Sequence, residues 1–289
     1  MTKSIGADLH THTNASDGLL SPGSLVKQAA SSGVNGLAIT DHDTMDGVDE
    51  AVKMGLEADL LVIPGVELST EFISPVLGEQ TVHVLGYFCD PKNPGLSKHM
   101  AYQRDNRVNR AQEMVYRLNQ LGIAVEFDRV KELAAGATVG RPHIARAIIE
   151  AGYESDWGKV FDKWIGNDAP AYVSHRKLEA VDGVEMIRDS GGVPVIAHPY
   201  YDFHGRSLDL ESMLPLAKEA GLIGLEVYYG VFSASEHRQY ANVAEKYDLL
   251  ATGGSDFHGD GVQEGVYIGC SLCPDENFRE LCSYANAGD

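Results

Sequence analysis

Six of the eleven histidines in this chain lie in short polar segments that follow or interrupt apolar, strand-like runs. Neutral imidazole and carboxylate groups are the ligands that Zn²⁺, Mn²⁺ and Fe²⁺ prefer in hydrolytic enzymes. The segments that carry such groups are scattered along the chain: 8–13, 40–44, 65–67, 82–87, 197–199 and 254–258. If the fold brings these segments together, the sequence predicts a metal centre.

The spacing within two of these segments supports a shared site. His10 and His12 are alternate residues, as are Asp256 and His258, and alternate residues of a strand point to the same side. Taken singly, each pair could equally be solvated side chains at a strand edge. Three lone histidines, which we also place at the ends of predicted parallel strands, make a shared metal site more plausible than solvated pairs: His42, His83 and His198.

The elements that must position these residues alternate between strand and helix patterns. The first strands are predicted at residues 4–9, 36–40, 60–64 and 81–88, and the helices between them at 22–32 and 46–58. This order indicates right-handed crossovers and a parallel sheet. In a barrel of this kind, the carboxyl ends of the strands meet on one face and form the active site.

The alternation stops after the fourth strand. Residues 98–166 have helical patterns and no convincing strand, which indicates a helical insertion. Strands then return at residues 193–198, 224–229 and 249–253, separated by predicted helices at 179–190, 210–220 and 235–247. Seven strands in total favour an incomplete α/β barrel over a sandwich.

Composition limits the partners. A net charge of −19 argues against tight binding of long nucleic acid, which depends on Lys and Arg. Four cysteines in 289 residues do not form a disulfide framework. No apolar segment has the length of a membrane span or a signal-peptide core. We therefore expect a cytoplasmic protein without a membrane partner, and the sequence carries no signal of its oligomeric state.

The motifs, taken in order, resemble those of the polymerase-and-histidinol-phosphatase (PHP) superfamily of metal-dependent phosphoesterases. The segments that carry the resemblance are DLHTHT, TDHDT, GVE, AHP and GSDFH, which occur near both ends of the chain. The resemblance implies a distorted seven-stranded (β/α) TIM-like barrel built from residues 1–97 and 167–289. Residues 98–166 would then form a helical insertion that selects the substrate.

The resemblance also implies three metal sites grouped around Glu67, of which the first two share Glu67 as a bridging carboxylate. Their ligands are, site by site, His10, His12, Glu67 and Asp256; then Glu67, His83 and His198; then Asp17, His42 and His258. Asp17 could equally be a turn residue. The expected cofactors are two or three divalent ions, Mn²⁺ first, with Zn²⁺ or Fe²⁺ as alternatives. We interpret Asp41 and Asp43 as groups that orient His42.

Such a centre suits phosphate-ester hydrolysis. Divalent ions lower the pKa of a bridging water and neutralise phosphate oxygens, so attack by a metal-held hydroxide requires no covalent intermediate. Glu67, Asp256 and His198 are the expected catalytic residues. The sequence contains neither a GxSxG nucleophile elbow nor a phosphate-binding P-loop.

Arg141 and His143 are the first expected substrate contacts, because they open a predicted helix. The guanidinium of Arg141 suits bidentate phosphate binding, and the helix N-terminus adds amide donors. An exposed surface arginine is the alternative, and resemblance to the nucleotide-phosphatase branch favours binding. Three further candidates are His175, which could equally be structural, and His204 and Arg206, which follow the AHP motif.

Among PHP proteins, the chain most resembles the 3′,5′-nucleoside bisphosphate phosphatases. The expected reaction removes the 3′-phosphate of a small nucleotide such as adenosine 3′,5′-bisphosphate and leaves a nucleoside 5′-phosphate. Tyr228 and Tyr229 could stack the base or belong to the core. The alternatives are a 5′→3′ exonuclease on short oligonucleotides, a histidinol-phosphate-type phosphatase, and a metal-binding module without activity. A phosphoesterase that had lost its activity would be expected to lose metal ligands first. Every expected ligand position is occupied here, which argues against the module without activity.

Overall fold

A computed structural model describes residues 6–134, 139–167, 169–174, 177–200 and 207–285 of the chain. The strands are β1 (Ala7–Asp8), β2 (Gly36–Ile39), β3 (Leu61–Ser74), β4 (Gly78–Tyr87), β5 (Leu178–Glu179), β6 (Val193–Ile196), β7 (Gly224–Tyr229) and β8 (Leu250–Gly254). They form one sheet in the order β1-β2-β3-β4-β6-β7-β8, with the short β5 paired to β3. The seven strands of the main path match the predicted number.

The sheet curves until its first and last strands meet. The amide of Leu9 donates to the carbonyl of Gly253 over 3.2 Å. Just beyond β1 and β8, Thr11 and Phe257 form a parallel bridge. Glycine is required at position 254, because a Cβ there would lie 2.4 Å from the His10 Cβ. The sheet is therefore a nearly closed seven-stranded barrel, which confirms the predicted fold class.

The predicted direction of the fourth strand is wrong. β4 is antiparallel to both β3 and β6, so the sheet is not fully parallel. The reason is a hairpin: β3 continues from Leu61 to Ser74 and turns directly into β4, with Gly78 at φ 75°. A two-stranded hairpin needs no crossover helix, whereas parallel neighbours do. His83 consequently lies inside an antiparallel strand and not at the carboxyl end of a parallel one.

The helices are α1 (Pro22–Ser32), α2 (Val48–Ala58), α3 (Pro94–Gln120), α4 (Phe127–Ala134), α5 (Arg141–Glu150), α6 (Trp157–Val160), α7 (Ala180–Asp189), α8 (Leu210–Ala220), α9 (Ala234–Lys246) and α10 (Asp275–Ala285). The Ser21 hydroxyl caps α1 by accepting from the Ser24 amide, and Pro22 occupies the first turn, where no amide donor is needed. The sequence did not predict α10, α6, or the π-helical turn Phe161–Ile165 that follows α6.

The chain divides into two compact units, Met1–Ser97 with Lys177–Asp289, and Lys98–Arg176. The first unit contains the barrel, whose core includes the fully buried Leu9, Leu85 and Val195. The second contains a separate helical core around residues such as Leu118 and Ile148. The predicted insertion, 98–166, has the same first residue as the second unit but ends earlier. Across the described ranges, no helix combines the length and the apolar character that a bilayer crossing requires.

Candidate active site

The predicted metal ligands of the barrel converge at one end of it. His10 and His12 follow β1, His42 follows β2, and Glu67 lies within β3. The side chains of His10 and His12 are fully buried, and that of Glu67 is 1 % exposed. His83 reaches the group from β4, and the remaining ligands come from segments after β6 and β8: His198, Asp256 and His258.

Glu67 lies at the centre of this group. One carboxylate oxygen, Oε2, is 3.4 Å from His10 Nε2, 3.3 Å from His12 Nε2 and 2.9 Å from His42 Nδ1. The other, Oε1, is 2.9 Å from His83 Nδ1 and 3.0 Å from His198 Nε2. The two oxygens thus face two sets of imidazoles, as a carboxylate that bridges two ions would.

Two more carboxylates extend the group. Asp256 Oδ1 lies 3.3 Å from His10 Nε2 and 3.1 Å from His12 Nε2. Asp17 Oδ1 lies 3.4 Å from His258 Nε2, and Asp17 Oδ2 lies 3.9 Å from His42 Nε2. Asp17 therefore faces ligand-type nitrogens, which a simple turn residue would not.

Residues that hold a divalent metal are expected to leave their ligand atoms buried and without hydrogen-bond partners. His10 Nε2, His12 Nε2, Asp17 Oδ1 and Glu67 Oε2 are buried and make no hydrogen bond with acceptable geometry within the described residues. Two ligands held about 2.1 Å from one ion lie about 3.0–3.4 Å apart. Many of the nitrogen–oxygen distances given above fall in that range. Buried atoms that face a common point without bonding to each other fit a metal centre.

The groups that could each hold one ion differ in part from the predicted sets. They are His12, Asp17, His42 and His258; His10, His12 and Glu67; His10, His198 and Asp256; and His42, Glu67 and His83. All nine predicted ligands are present. His198, however, groups with His10 and Asp256, and His42 takes a place beside His83. The assignment of ligands to individual ions remains a prediction.

Electrostatics in the group keep the carboxylates ionised. Burial by itself would raise the pKa of Glu67, but the surrounding imidazoles, His42 first, hold that pKa well below its usual range. Burial also opposes the charged form of His258, yet Asp17 and Asp256 outweigh it and raise the pKa of His258 to about 10. Burial lowers the pKa of His83 to about 4, so His83 is neutral at pH 7 and available as a ligand.

Metal binding at pH 7 is expected to release protons. In the metal-free chain His258 carries a proton below its pKa of about 10, and the pKa of His10 is also raised well above its usual value. An imidazole must lose that proton to bind a metal, so affinity for Mn²⁺ should fall as the pH is lowered. Calorimetric titration in two buffers of different ionisation enthalpy measures the proton count. Equal apparent enthalpies in both buffers would contradict this expectation.

Asp41 contacts the loop that follows β1. Its carboxylate accepts hydrogen bonds from the amide and hydroxyl of Thr13, both at 2.7 Å, and from the hydroxyl of Ser16 at 2.6 Å. These contacts fix the loop that carries Asp17. Asp43 accepts from the amide of Ser69 at 2.9 Å and so ties the segment after β2 to β3.

Sequence reasoning missed one buried carboxylate. Glu226, on β7, is fully buried and lies 3.0 Å from His10 Nδ1. The signal was available, because a glutamate within the apolar run Gly224–Val227 costs too much free energy to bury without a partner. Tyr229, for which base stacking and a place in the core were the two alternatives, donates a hydrogen bond to Asp256 Oδ2 over 2.8 Å.

An open cavity of about 290 Å³ borders the group. Its lining joins metal-ligand side chains to apolar and aromatic ones: His42, Glu67, Thr81, Val82, His83, Ala197, His198, Tyr200, Leu208, Tyr229 and Asp256. A cavity lined by both ionic and apolar groups suits a small ester with an organic part.

In the helical unit, Arg141 begins α5 and is not freely solvated. Its Nη1 donates to Asn167 Oδ1 over 2.9 Å, and its guanidinium lies 5.9 Å from the centre of the Tyr172 ring. Burial lowers the pKa of Arg141. Burial, followed by the charge of Arg141, also lowers the pKa of neighbouring Arg110 to about 10. A half-buried pair of cations suits an anionic ligand.

His143 has a local role in the structure. Its Nδ1 accepts from the Gly140 amide over 3.0 Å and so caps the start of α5. The other substrate candidates, His175, His204 and Arg206, lie outside the described residues.

Comparison with known proteins relates this geometry to a family. The family model described as "PHP domain" matches residues 8–154. This chain belongs to the PHP family. A 3′,5′-nucleoside bisphosphate phosphatase of Chromobacterium violaceum is 36 % identical over 88 % of this chain and 87 % of its own length. A 5′-3′ exoribonuclease of Haemophilus influenzae is 34 % identical over 89 % of this chain and 91 % of its own.

A solved structure agrees with the sequence match. A protein of Bifidobacterium adolescentis, described as a metal-dependent phosphoesterase, superposes with a TM-score of 0.87 at 32 % identity, covering 97 % of this chain and 96 % of its own. The chain is thus a metal-dependent phosphoesterase of the PHP family, a hydrolase of phosphoric ester bonds, as the motifs predicted.

Proposed function

We propose that this PHP protein hydrolyses the 3′-phosphate of a small nucleotide, such as adenosine 3′,5′-bisphosphate, and leaves a nucleoside 5′-phosphate. The observation that carries the proposal is the convergence of nine ligand-type side chains, with Glu67 at their centre, beside an open cavity. The relative named for this reaction, 36 % identical, supports the choice of substrate. The net charge of −19 favours a small substrate over long RNA. We also propose that the reaction takes place in the cytoplasm.

We assign separate roles in the reaction to the ligand-type side chains and to the residues that line the cavity. The nine side chains hold two or three divalent ions, with Mn²⁺ first and Zn²⁺ or Fe²⁺ as alternatives. When bound, such ions lower the pKa of a coordinated water and neutralise charge on the phosphate oxygens. Glu67, Asp256 and His198 border the cavity, where we expect them to orient the reacting phosphate, and Tyr200 and Leu208 offer apolar surface to the organic part of the substrate.

The substrate can be tested by ranking esters. With Mn²⁺ present, kcat/KM is measured for adenosine 3′,5′-bisphosphate, histidinol phosphate and 5′-phosphorylated oligoribonucleotides of increasing length. The proposal predicts that the bisphosphate exceeds histidinol phosphate by about tenfold or more. A higher kcat/KM for histidinol phosphate than for the bisphosphate would overturn the proposal and indicate a histidinol-phosphate phosphatase.

A second candidate is a 5′→3′ exoribonuclease on short oligonucleotides. The observation that favours it is the 34 % identical Haemophilus influenzae relative of that name, which matches a similar share of the chain. Both reactions would use the same metal centre, but the phosphatase cleaves a phosphomonoester and the exonuclease cleaves a phosphodiester. If kcat/KM rises with oligonucleotide length and exceeds the value for the bisphosphate, the exonuclease is the main activity.

We propose that Arg141 binds a phosphate of the substrate and that His143 orients the start of α5 for this contact. Replacing Arg141 with alanine should raise KM about 10- to 150-fold with a smaller change in kcat, because a charged hydrogen bond is worth about 1.5–3 kcal/mol. The control is Arg146→Ala on the same helix, where the arginine is 56 % exposed and pairs with Glu150. Equal KM values for the two variants would exclude this role of Arg141.

A further inference from the structure

Strand β7 presents two polar side chains on one face because of an irregularity in its pairing. Glu226 pairs with Thr252 of β8 and Tyr229 pairs with Gly254, so Val227 is an extra residue. Residues 252 and 254 alternate and share a face of β8, and paired residues of neighbouring strands point to the same side. The bulge therefore brings Glu226 and Tyr229, three positions apart, to the same face. Bulges often re-aim side chains beside active sites.

Glu226 contacts two of the metal-ligand residues at once. Its Oε1 lies 3.0 Å from His10 Nδ1, and its Oε2 accepts from the backbone amide of His198 over 2.6 Å. A carboxylate that accepts from Nδ1–H keeps the proton of His10 on that nitrogen. His10 Nε2, on the opposite side of the ring and 3.3 Å from Asp256 Oδ1, then keeps its lone pair for a metal.

Tyr229 fixes a third ligand residue. Its hydroxyl donates to Asp256 Oδ2 over 2.8 Å, which leaves Asp256 Oδ1 directed at the Nε2 atoms of His10 and His12. The ring of Tyr229 packs edge-on against the His198 ring, with 5.4 Å between centroids. His10, His198 and Asp256, which β7 contacts in these ways, form one of the groups able to hold an ion.

We propose that Glu226 and Tyr229 are positioning residues for the metal subsite formed by His10, His198 and Asp256. Glu226 sets the tautomer of His10 and the backbone position of His198, and Tyr229 sets the orientation of the Asp256 carboxylate. The proposal rests on the metal centre of the proposed function and is independent of the substrate.

Glu226 is required as a carboxylate and not merely for its shape. Both of its partners are donors, the Nδ1–H of His10 and the amide of His198. A glutamine has one acceptor oxygen and one NH₂ group, so it satisfies only one of them. If its oxygen accepts from the His198 amide, its NH₂ group donates to His10 Nδ1. The proton of His10 then resides on Nε2, which blocks metal binding at that atom.

The test compares metal affinity among three variants of the full chain. Purified metal-free protein is titrated with Mn²⁺ alone, without substrate, and folding is followed by circular dichroism. Glu226→Gln is expected to bind Mn²⁺ about 10- to 100-fold more weakly at one subsite, and Tyr229→Phe about tenfold more weakly. The matched control is Thr252→Val. Thr252 is buried and pairs with Glu226 across the strands, and within the described residues its hydroxyl donates only to the Leu225 carbonyl, over 3.4 Å.

Each outcome decides for or against the proposal. A loss of affinity in Glu226→Gln that Thr252→Val does not share supports it. Equal affinities in Glu226→Gln and wild type, or equal losses in Glu226→Gln and Thr252→Val, overturn it. If Glu226→Gln does not fold, Tyr229→Phe decides: unchanged Mn²⁺ affinity in that variant overturns the proposal. A wild-type chain that binds no Mn²⁺ would instead refute the metal centre itself.

Discussion

Replacing Glu67 with glutamine is expected to lower kcat/KM about a thousandfold and to reduce the number of bound metal ions. Both carboxylate oxygens of Glu67 face imidazoles of the ligand group, at 2.9–3.4 Å. Glutamine keeps the shape but replaces one oxygen with an NH₂ group and removes the charge. Metal-assisted hydrolysis derives several kcal/mol from the ions, and each 1.36 kcal/mol corresponds to about a factor of ten in rate.

Glu71→Gln is the matched control for this experiment. Glu71 lies on the same strand, β3, is partly buried, and pairs with Thr81 of β4. Burial raises the pKa of Glu71, with Glu79 adding to the effect, and no contact within the described residues joins Glu71 to the ligand group. Its replacement should leave kcat/KM within about twofold. Similar losses in the two variants would show that charge on β3, and not the position of Glu67, is what matters.

Removing the metal is expected to abolish hydrolysis and to destabilise the chain. The buried nitrogens and oxygens of the site, among them His12 Nε2 and Glu67 Oε2, have few protein partners and depend on an ion for compensation. An ion present at 100 times its Kd stabilises the folded state by about 2.7 kcal/mol. Chelation should therefore lower Tm by roughly 5 °C or more in a chain of this size. Phosphate release and thermal unfolding, measured before and after chelation, provide the comparison.

The choice of ion provides the control for this prediction. Six imidazoles favour Mn²⁺, Zn²⁺ or Fe²⁺, whereas Ca²⁺ and Mg²⁺ prefer oxygen ligands. Adding back Mn²⁺ should restore both activity and Tm, and Ca²⁺ should restore neither. Hydrolysis that continues at an unchanged rate after complete removal of metal would contradict the account.

The ligand set could be predicted from the sequence because each ligand belongs to a short, local pattern. His10-x-His12 and Asp256-x-His258 require only a strand end, and the barrel brings such ends together. Glu67 was found by its motif, although the predicted strand stopped at Pro64. Proline usually ends a strand, since it lacks an amide donor, but here β3 continues through it.

Other features depend on contacts between segments far apart in the chain. The antiparallel direction of β4 follows from a hairpin that the predicted end of β3 at Pro64 concealed. Asp41 holds Thr13 and Ser16, across more than 20 residues of chain, and no local pattern indicates such a pair. Glu226 contacts His10 over 216 residues. Residues that contact the metal ligands across such distances in the chain can be recognised only after the strands have been placed side by side.

The most direct test of the central claim is the metal content per chain, measured by elemental analysis after purification and exposure to Mn²⁺. The account predicts two or three divalent ions in the wild-type chain and a loss of at least about one in Glu67→Gln, with Glu71→Gln unchanged. A folded wild-type chain that retains less than about half an ion per molecule would contradict it, because the ligand-type side chains around Glu67 would then not form a metal centre.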